Sequence, residues 1–322
     1  MRGRSSHSTA GSMSQGGFIL VSSLLISLMI AAVAMYFASV VRQRIRAAER
    51  VDDYVTASLK AWSAYEDMIY VLTTCYFTQT GIYLSVPSAG PFTTSARRLE
   101  DTRIFLNFFG EAFQWGDGVK VTLKDVSSLT PLIGGDQAFL RTLLLEHCGV
   151  DSGRANQILD GILDWQDRDD LKRLNGAEAW DYKMAGVKYV PRNSRLQTLD
   201  EMLLVRGMTK EIFAKLQPEM TYLGTGTIHL LNASPTLLRA VFPTDENFVR
   251  ALIDLRMRGP IDDGALLEIA ARLPGSEEST GLPNRVQIVV EARHGDATAT
   301  IKSIYGKEET LRSPYQTYLW KK

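Results

Sequence analysis

The sequence predicts an α+β protein in which one long N-terminal helix packs on an antiparallel sheet, with a large all-α region inserted between the strands. Three patterns lead to this prediction. A stretch without glycine or proline, which permits one continuous helix, runs from Phe18 to Thr80. Alternation of apolar and polar residues, which is typical of strands, appears at 119–126 and again from Arg285 onward. Between these regions, apolar residues recur at the spacing of three and four that is typical of helices.

The first part of the long helix is apolar enough to cross a membrane. From Phe18 to Val41 the chain has 24 residues without a charge, and at about 1.5 Å per residue they match a hydrocarbon core of roughly 30 Å. A secretory signal peptide would have a shorter apolar run, and a plain signal anchor is the alternative. The arginines at 42–50 outnumber the basic residues before the span, so the positive-inside rule alone would place the C-terminal side in the cytoplasm.

The second half of the helix is amphipathic, and this pattern predicts which face packs on the sheet. Apolar side chains recur at spacings near three and four, and we expect them to form one buried stripe. The stripe consists of Val51, Val55, Leu59, Trp62, Ile69 and Leu72. The glycines and prolines at 81–117 break the helical pattern and predict a polar loop region there.

Residues 1–17 form a polar segment that ends in Gly16 and Gly17, directly before Phe18. A glycine followed by phenylalanine at the start of an uncharged helix resembles the processing site of type IV prepilins and type II secretion pseudopilins. The resemblance implies a leader peptide at 1–17, cleavage by a prepilin peptidase after Gly17, and methylation of the new N-terminal Phe18. Most members carry glutamate at the fifth mature position, where this chain has Ser22. In those families the glutamate pairs with a neighbour's terminal amine, so the resemblance implies a subunit poorly suited to stacking below another.

An acidic motif in the middle of the chain resembles one family more closely. It begins with Asp164-Trp165-Gln166-Asp167-Arg168-Asp169-Asp170 and continues with Gly176-Ala177-Glu178 and then Tyr182. Further matches lie at 199–209 and, more weakly, at 230–235. Together these segments resemble the signature of minor pseudopilin K of the type II secretion system.

The same motif predicts a structural Ca²⁺ site. Calcium takes six to eight oxygen ligands, and crowded carboxylates repel one another unless a cation lies among them. The spacing does not fit an EF-hand, because Lys172 stands where that loop requires glycine. The resemblance to pseudopilin K, a calcium-binding member, implies as ligands Asp164, Asp167, Asp169, Asp170 and Glu178. The alternative is a solvated acidic loop with helix-capping aspartates, and Ala179 replaces one acidic residue of the family pattern.

The resemblance also implies a type IV pilin-like fold assembled from separated parts of the chain. Helical units that resemble SAM-like or helix-hairpin-helix modules would be inserted between those parts. The predicted boundaries are 1–17 for the leader, 18–41 for the membrane part of the helix, 42–128 for the first part of the pilin-like domain, 129–228 for the helical unit with the acidic loop, 229–281 for the second helical unit and 282–322 for the C-terminal strands.

Composition and motifs do not favour an enzyme or a nucleic-acid-binding protein. The 36 basic and 36 acidic residues balance, so no overall field would attract DNA or anionic lipid. The four histidines lack metal-ligand spacing, and no nucleophile elbow, zinc-protease motif or nucleotide-binding loop occurs. The turn at 242–245 has no glycine, unlike DNA-binding helix-hairpin-helix turns. Cys75 and Cys148 are too few for a disulfide framework, and either one pair or two free thiols fits the sequence.

The resemblance implies a mechanical function in a secretion apparatus. A minor pseudopilin K would initiate or cap the pseudopilus from the bacterial inner membrane, with one span and a periplasmic head, for the export of folded proteins across the outer membrane. The implied partners are I-type and J-type minor pseudopilins and the prepilin peptidase, and the head would face the secretin or the exoprotein. No nucleic acid is expected. The alternatives are a type IV pilus minor pilin and a membrane-anchored DNA-uptake protein.

Overall fold

The structure is a computed structural model that describes residues 14–85, 103–132, 134–135, 137–223, 228–259, 261–273, 280–310 and 313–321. The helices are α1 (Ser14–Thr74), α2 (Gln137–Thr142), α3 (Ser152–Gln166), α4 (Ala179–Met184), α5 (Lys210–Leu216), α6 (Pro235–Val241), α7 (Glu246–Met257) and α8 (Asp263–Ala270). The strands are β1 (Tyr76–Phe77), β2 (Gly81–Ser85), β3 (Arg103–Asn107), β4 (Phe109–Gly116), β5 (Val119–Asp125), β6 (Thr130–Pro131), β7 (Met220–Thr221), β8 (Arg285–His294), β9 (Ala297–Thr310) and β10 (Ser313–Lys321). Most of the predicted leader, residues 1–13, lies outside the described part of the chain.

Helix α1 has 61 residues and is therefore about 90 Å long. Because no glycine or proline occurs between Phe18 and Thr80, nothing in the sequence interrupts its backbone hydrogen bonds before strand β1 begins. The single long helix predicted from this stretch is confirmed. It begins ahead of Gly17, so the described end of the predicted leader is already helical.

The face of α1 that packs on the sheet differs from the predicted stripe. Two residues of that stripe are buried, Ile69 and Leu72, and four are exposed: Val51, Val55, Leu59 and Trp62. Smaller or longer side chains take their place at helical spacing, namely Ala57, Ala61, Ala64, Tyr65 and Met68. Alanines let the helix axis approach β8 and β9 closely, which bulky side chains at those positions would prevent. We call the four exposed residues the outer face of α1.

Five antiparallel strands in the order β10-β9-β8-β5-β4 form the sheet under α1. The strands predicted at 119–126 and from Arg285 onward are confirmed as β5 and as β8, β9 and β10. On β8, the predicted inward residues Val286, Ile288 and Val290 are fully buried in the cluster that contains the sheet-facing side of α1. Gly295 turns the chain between β8 and β9 with φ +51°, a conformation that glycine adopts without steric cost.

The polar loop expected at 81–117 is wrong where that segment is described, because it contains β2, β3 and β4. Gly110, whose φ is +86°, lies at a shift in the β4–β5 register between Phe109 and Ala112. The glycine therefore marks a β-bulge inside a strand, where it permits the extra residue, and does not mark the end of regular structure.

Strand β5 pairs with β8 over the whole of β5, from Val119 opposite Ala292 to Asp125 opposite Val286. These strands are neighbours in space although the segment 126–284 separates them in the chain. The head formed by that segment is thus inserted between two adjacent strands of one sheet. The boundaries of the helical units inside it stay predictions.

Helices α2 to α8 of the head surround one hydrophobic core. The helical spacing of apolar residues between the two strand regions is confirmed. Representative residues of this pattern are Leu143 in the π-helical extension Leu143–His147 of α2, Ile158 in α3, Leu237 in α6, Leu252 in α7 and Ile269 in α8. Both predicted helical units contribute to this core, which runs in sequence from Leu132 to Leu273. The acidic motif lies at one edge of it, between α3 and α4.

Candidate functional site

The N-terminal part of α1 carries the predicted processing and filament-register positions. Gly17 and Phe18 lie in the first turns of the helix, and the Phe18 side chain is exposed. The Ser22 hydroxyl donates a hydrogen bond of 2.8 Å to the backbone oxygen of Phe18. Ser22 is therefore engaged with its own helix, and the position offers no carboxylate to a neighbouring subunit.

One helix among the described residues is long and apolar enough to cross a membrane, and it is α1. Its most apolar window has a mean hydropathy of 2.6, and none of that window is buried against the rest of the protein. This exposure distinguishes it from the core helix of a soluble domain. The N-terminal part of α1 fits a single-pass membrane anchor.

The acidic motif is organised by the last turn of α3 and by three aromatic rings. Asp164 is fully buried. The next residue, Trp165, packs against Tyr182 of α4 and against Tyr189, with ring centroids 5.7 Å and 6.3 Å apart. The Tyr182 hydroxyl also accepts a hydrogen bond from the backbone N–H of Arg206. The spacing of tryptophan and tyrosine in the motif thus reflects a packed wall behind the acidic residues.

Arg173 supplies the positive charge inside the motif. Its Nη1 atom donates to Asp164 Oδ1 at 2.8 Å and also to Asp167 Oδ2. Its backbone N–H points at the same Asp164 carboxylate, 3.3 Å from Oδ2. The hydrogen bonds to the two carboxylates raise the pKa of Arg173 above its already high ordinary value. This arginine lies between two of the five predicted calcium ligands.

Gly176 allows the loop after Arg173 to pass directly over Asp164. A Cβ atom at this position would lie 1.9 Å from Asp164 Oδ2, a distance that no side chain can adopt without a shift of the backbone or the carboxylate. The glycine of the motif is therefore required by close approach of the backbone to a buried charge.

Glu178, which precedes α4, is the least compensated acidic side chain of the motif. It is only 4% exposed. Its side chain faces the backbone of Asp181 in a capping-box arrangement at the start of α4, but neither carboxylate oxygen makes a hydrogen bond within the described chain. Burial, followed by repulsion from Asp164, Asp167, Asp170 and Asp169, raises its pKa to about 7. Asp167 Oδ1 is likewise buried without a partner.

The remaining two predicted ligands lie on the exposed rim. Asp169 accepts from the backbone N–H of Leu171 at 2.9 Å, and Asp170 accepts from the amide of Asn193 at 3.0 Å. In this arrangement no group of three or more His, Cys, Asp or Glu side chains among the described residues could hold a metal ion. The Arg173 guanidinium bridges Asp164 and Asp167 in this arrangement.

The donor set nevertheless suits a hard cation. All five predicted ligands are carboxylates, and three buried oxygens, two on Glu178 and one on Asp167, lack any donor in the described chain. Buried carboxylate oxygens without a donor are costly, and a cation would satisfy them. The residues therefore fit Ca²⁺ by chemistry, provided that Arg173 moves.

A second buried carboxylate, missed in the sequence, joins the head to the sheet. Asp125 at the end of β5 is fully buried and accepts from the backbone N–H of Ser127 at 2.8 Å. Its other oxygen lies 2.9 Å from His229 Nδ1 and 3.0 Å from the Asn232 amide, which also donates to the backbone of Gln79. Only their distance in sequence hid this group, because no local pattern pairs residue 125 with residues 229 and 232.

The turn between α6 and α7 is closed by an acidic residue. Asp245 caps α7 by accepting from the backbone N–H of Phe248 at 3.1 Å, and it also pairs with Arg272. In a helix-hairpin-helix module that binds DNA, such backbone N–H groups face phosphate. Here a carboxylate occupies that position.

Comparisons with known proteins find a matching segment within the head. Residues 134–225 match the family model described as type II secretion system (T2SS), protein K. We call this matched segment, residues 134–225, the protein K domain. The resemblance to pseudopilin K that was inferred from the acidic motif is confirmed. The matched segment contains α3, Arg173, Gly176 and α4.

Curated relatives and one solved structure point to the same family as the family model. A type II secretion system protein K from Klebsiella pneumoniae is 33% identical over 115 residues, which cover 34% of this chain and 35% of the relative. One from Pectobacterium carotovorum subsp. carotovorum is 28% identical over 145 residues, 43% of this chain and 44% of the relative. The chain thus spans less than half the length of these relatives in each match.

The fold resembles that of one chain in the crystal structure of the GspK–GspI–GspJ complex from the type II secretion system of enterotoxigenic Escherichia coli. The TM-score is 0.51 at 16% identity, and the match covers 86% of this chain and 98% of the other. The long N-terminal helix, the antiparallel sheets and the helical head thus belong to an architecture already seen in a solved structure.

Proposed function

We propose that this protein is a minor pseudopilin at the tip of a type II secretion pseudopilus, where it initiates or caps assembly for the export of folded proteins. The observation that carries the proposal is the protein K domain inserted into the sheet that packs on an apolar N-terminal helix. A bulky head that joins the sheet where β5 ends and β8 begins can end a fibre more readily than it can be stacked within one.

The N-terminal part of α1 would anchor the protein in the bacterial inner membrane, with the head in the periplasm. Cleavage by a prepilin peptidase between Gly17 and Phe18, followed by methylation of Phe18, would release the leader. Ser22, whose hydroxyl bonds within the helix, presents no charge to the terminal amine of a subunit beyond the tip. The protein would accordingly lie above other subunits of the pseudopilus and not below them.

The outer face of α1 would contact other minor pseudopilins of the I and J types. Leu59 and Val51 of this face are 65% and 63% exposed, and they continue the membrane anchor directly into the periplasm. A groove of about 400 Å³ lies beside it, lined by Tyr54, Leu59 and Ile301 among others. Neighbouring subunits anchored in the same membrane would bring parallel apolar helices to this face. Exposed apolar surface of this kind favours protein contact.

A structural Ca²⁺ would be held in the acidic motif by Asp164, Asp167, Asp169, Asp170 and Glu178. A divalent charge there supplies compensation for carboxylates that otherwise repel one another. The residues of the chain do the rest: Trp165 and Tyr182 exclude water behind the site, and Gly176 lets the backbone close over Asp164. The head so stabilised would face the secretin or the exoprotein.

The decisive test is the N-terminus of the mature protein. The full chain should be produced in a host with its type II secretion system and analysed by intact-mass and peptide mass spectrometry. We expect a chain that starts with methylated Phe18, and an uncut chain starting at Met1 in cells that lack the peptidase. A start at any other residue in the presence of the peptidase contradicts the proposal.

Position 22 can be tested with a matched pair of variants. Ser22→Glu would restore the charge that pairs with a terminal amine in fibre subunits, whereas Ser23→Glu places the same charge one residue away on a different face. We expect both proteins to be inserted and cleaved, and only Ser22→Glu to reduce the tip complex recovered with I-type and J-type partners. Equal recovery from both variants and the parent protein would remove the basis for placement at the tip.

The outer face of α1 can be tested in the same complex. Leu59→Arg places a charge in the proposed contact and should lower co-purification with the other minor pseudopilins about tenfold, as expected for a central interface residue. Leu267→Arg is the control, because Leu267 is 74% exposed on the head, away from α1. If both variants co-purify like the parent protein, the partners do not bind this face.

A further inference from the structure

Arg173 holds the position that a cation would take in the acidic motif. One nitrogen atom of its guanidinium donates to both Asp164 and Asp167. Asp164 is completely buried, so these bonds provide most of the compensation that its charge receives in the described chain. The arginine is part of the same loop as the acids it neutralises, and it therefore acts as a cation tethered to the site.

Arg173 neutralises only part of the acidic motif, and the oxygens that it leaves unsatisfied belong to Asp167 and Glu178. Asp167 uses one oxygen for Arg173 while its other oxygen is buried without a partner in the described chain. Glu178, 4% exposed, has no partner there for either oxygen. A single positive charge thus satisfies one side of the motif and leaves three oxygens on the other side unsatisfied. A divalent ion with six or more coordination positions could serve both sides.

The side chain of Arg173 can also move out of the acidic motif. Its side chain is 38% exposed, so the guanidinium reaches the buried acids from the protein surface and can return to water. Its backbone N–H would still point at Asp164, and Gly176 would still hold the loop against the same carboxylate. Departure of the side chain need not unfold the loop.

We propose that Arg173 is a tethered competitor of the metal ion: it neutralises Asp164 and Asp167 while the site is empty, and it must leave when a divalent cation binds. This inference rests on the cation site proposed above. Two consequences follow. The arginine keeps the acidic loop folded before calcium arrives, and it raises the calcium concentration at which the site fills, because only the fraction of molecules with Arg173 displaced can bind.

The experiment uses the full chain in detergent micelles and Ca²⁺ itself as the probe. Calcium affinity is measured by competition with a fluorescent chelator, and thermal unfolding is followed in EGTA and in calcium. The test variant is Arg173→Gln, which removes the charge. The matched control is Arg168→Gln, because Arg168 is an exposed arginine of the same loop for which the described chain shows no ion pair.

We expect Arg173→Gln to bind calcium at least about fivefold more tightly than the parent protein. We also expect it to unfold at a lower temperature in EGTA and to gain more from calcium. Arg168→Gln should change neither property. An Arg173→Gln protein that folds only in calcium would support the proposal too, since metal and arginine would then be interchangeable.

Several results would overturn the proposal. Unchanged or weaker calcium binding in Arg173→Gln would show that arginine and metal coexist, and a parent protein whose affinity and unfolding show no calcium effect would show that there is nothing to compete for. If Arg173→Gln does not fold in either condition, the uncharged variant Arg173→Met replaces it, and unchanged or weaker calcium affinity in that variant counts against competition. None of these outcomes affects cleavage at Phe18, so failure here is distinguishable from failure of the proposed function.

Discussion

Two buried acidic side chains in this protein differ in whether their oxygens are hydrogen-bonded. Asp125, between the sheet and the head, is fully buried and has donors for both oxygens, from Ser127, His229 and Asn232. Glu178, in the acidic motif, is almost as deeply buried but has no donor in the described chain. Asp125 lies where the sheet meets the head and Glu178 lies inside the head, and only Asp125 is hydrogen-bonded through both oxygens.

The difference separates the structural role of Asp125 from the binding role that we propose for Glu178. A buried carboxylate whose oxygens are hydrogen-bonded stabilises one arrangement of the segments that supply the donors. A buried carboxylate without donors costs free energy unless it is protonated or meets a cation. Asp125 therefore fixes how the head sits on the sheet, whereas Glu178 is left for a ligand or a proton.

The largest effect should come from removing the paired group. Asp125→Ala would leave the partly buried His229 ring nitrogen without its acceptor, and the buried Asn232 amide would keep only its bond to Gln79. We expect a loss of about 3 kcal/mol in unfolding free energy. Urea unfolding followed by tryptophan fluorescence measures it. Asp254→Ala, at an exposed position of α7, should lose less than about 0.5 kcal/mol. Equal small losses in both variants would mean that Asp125 does not join head and sheet.

A smaller effect is expected at Gly176, where the loop of the acidic motif passes over Asp164. Gly176→Ala would place a methyl group 1.9 Å from Asp164 Oδ2, so the carboxylate must move away from Arg173, and we expect a loss of about 2 kcal/mol. Gly116→Ala is the matched control, because nothing lies within 4 Å of its Cβ position and its φ is not positive. If the two variants unfold alike, the loop over Asp164 is looser than the structure indicates.

Features of the fold could be predicted from the sequence when the residues involved lie close together in the chain. The membrane-length segment, the strands β5, β8 and β9, and the acidic motif are local patterns, and all were predicted. The sheet-facing side of α1 was not, because Ala57 and Ala61 carry a weak apolar signal although their small size decides how closely helix and sheet approach. Bulky apolar residues suggested the core but lie on the outer face.

The candidate site shows the same limit. The acidic residues were found because they are close in sequence, and their family resemblance suggested a metal. The part played by Arg173 could not be read from the pattern, because six basic residues occur between 168 and 192 and only the fold brings one guanidinium between Asp164 and Asp167. Asp125 was hidden because its partners lie more than 100 residues away.

The smallest of the three effects should be a pH dependence that belongs to Glu178. Its pKa is raised from 4.5 to about 7 in the folded protein, whereas the unfolded chain releases this proton near the ordinary value. Between these pH values the folded state binds more protons, so this group makes stability fall as pH rises from about 4.5 to 7. Glu178→Gln has no proton to lose and should not show this fall.

A shift of one pKa unit corresponds to about 1.4 kcal/mol, but the nearby Asp169 and Asp170 are exposed, and water and salt screen part of their repulsion. We therefore expect Glu178→Gln in EGTA to gain about 1.5 kcal/mol over the parent protein at pH 7.5 and almost nothing at pH 4.5. Urea unfolding across this range measures the difference, with Glu268→Gln at an exposed position of α8 as control. Parallel pH profiles for the parent protein and Glu178→Gln would show that Glu178 has found a partner in solution, and the contrast with Asp125 would then disappear. Addition of calcium should shrink the same difference, because a bound cation stabilises the ionised carboxylate that glutamine cannot provide.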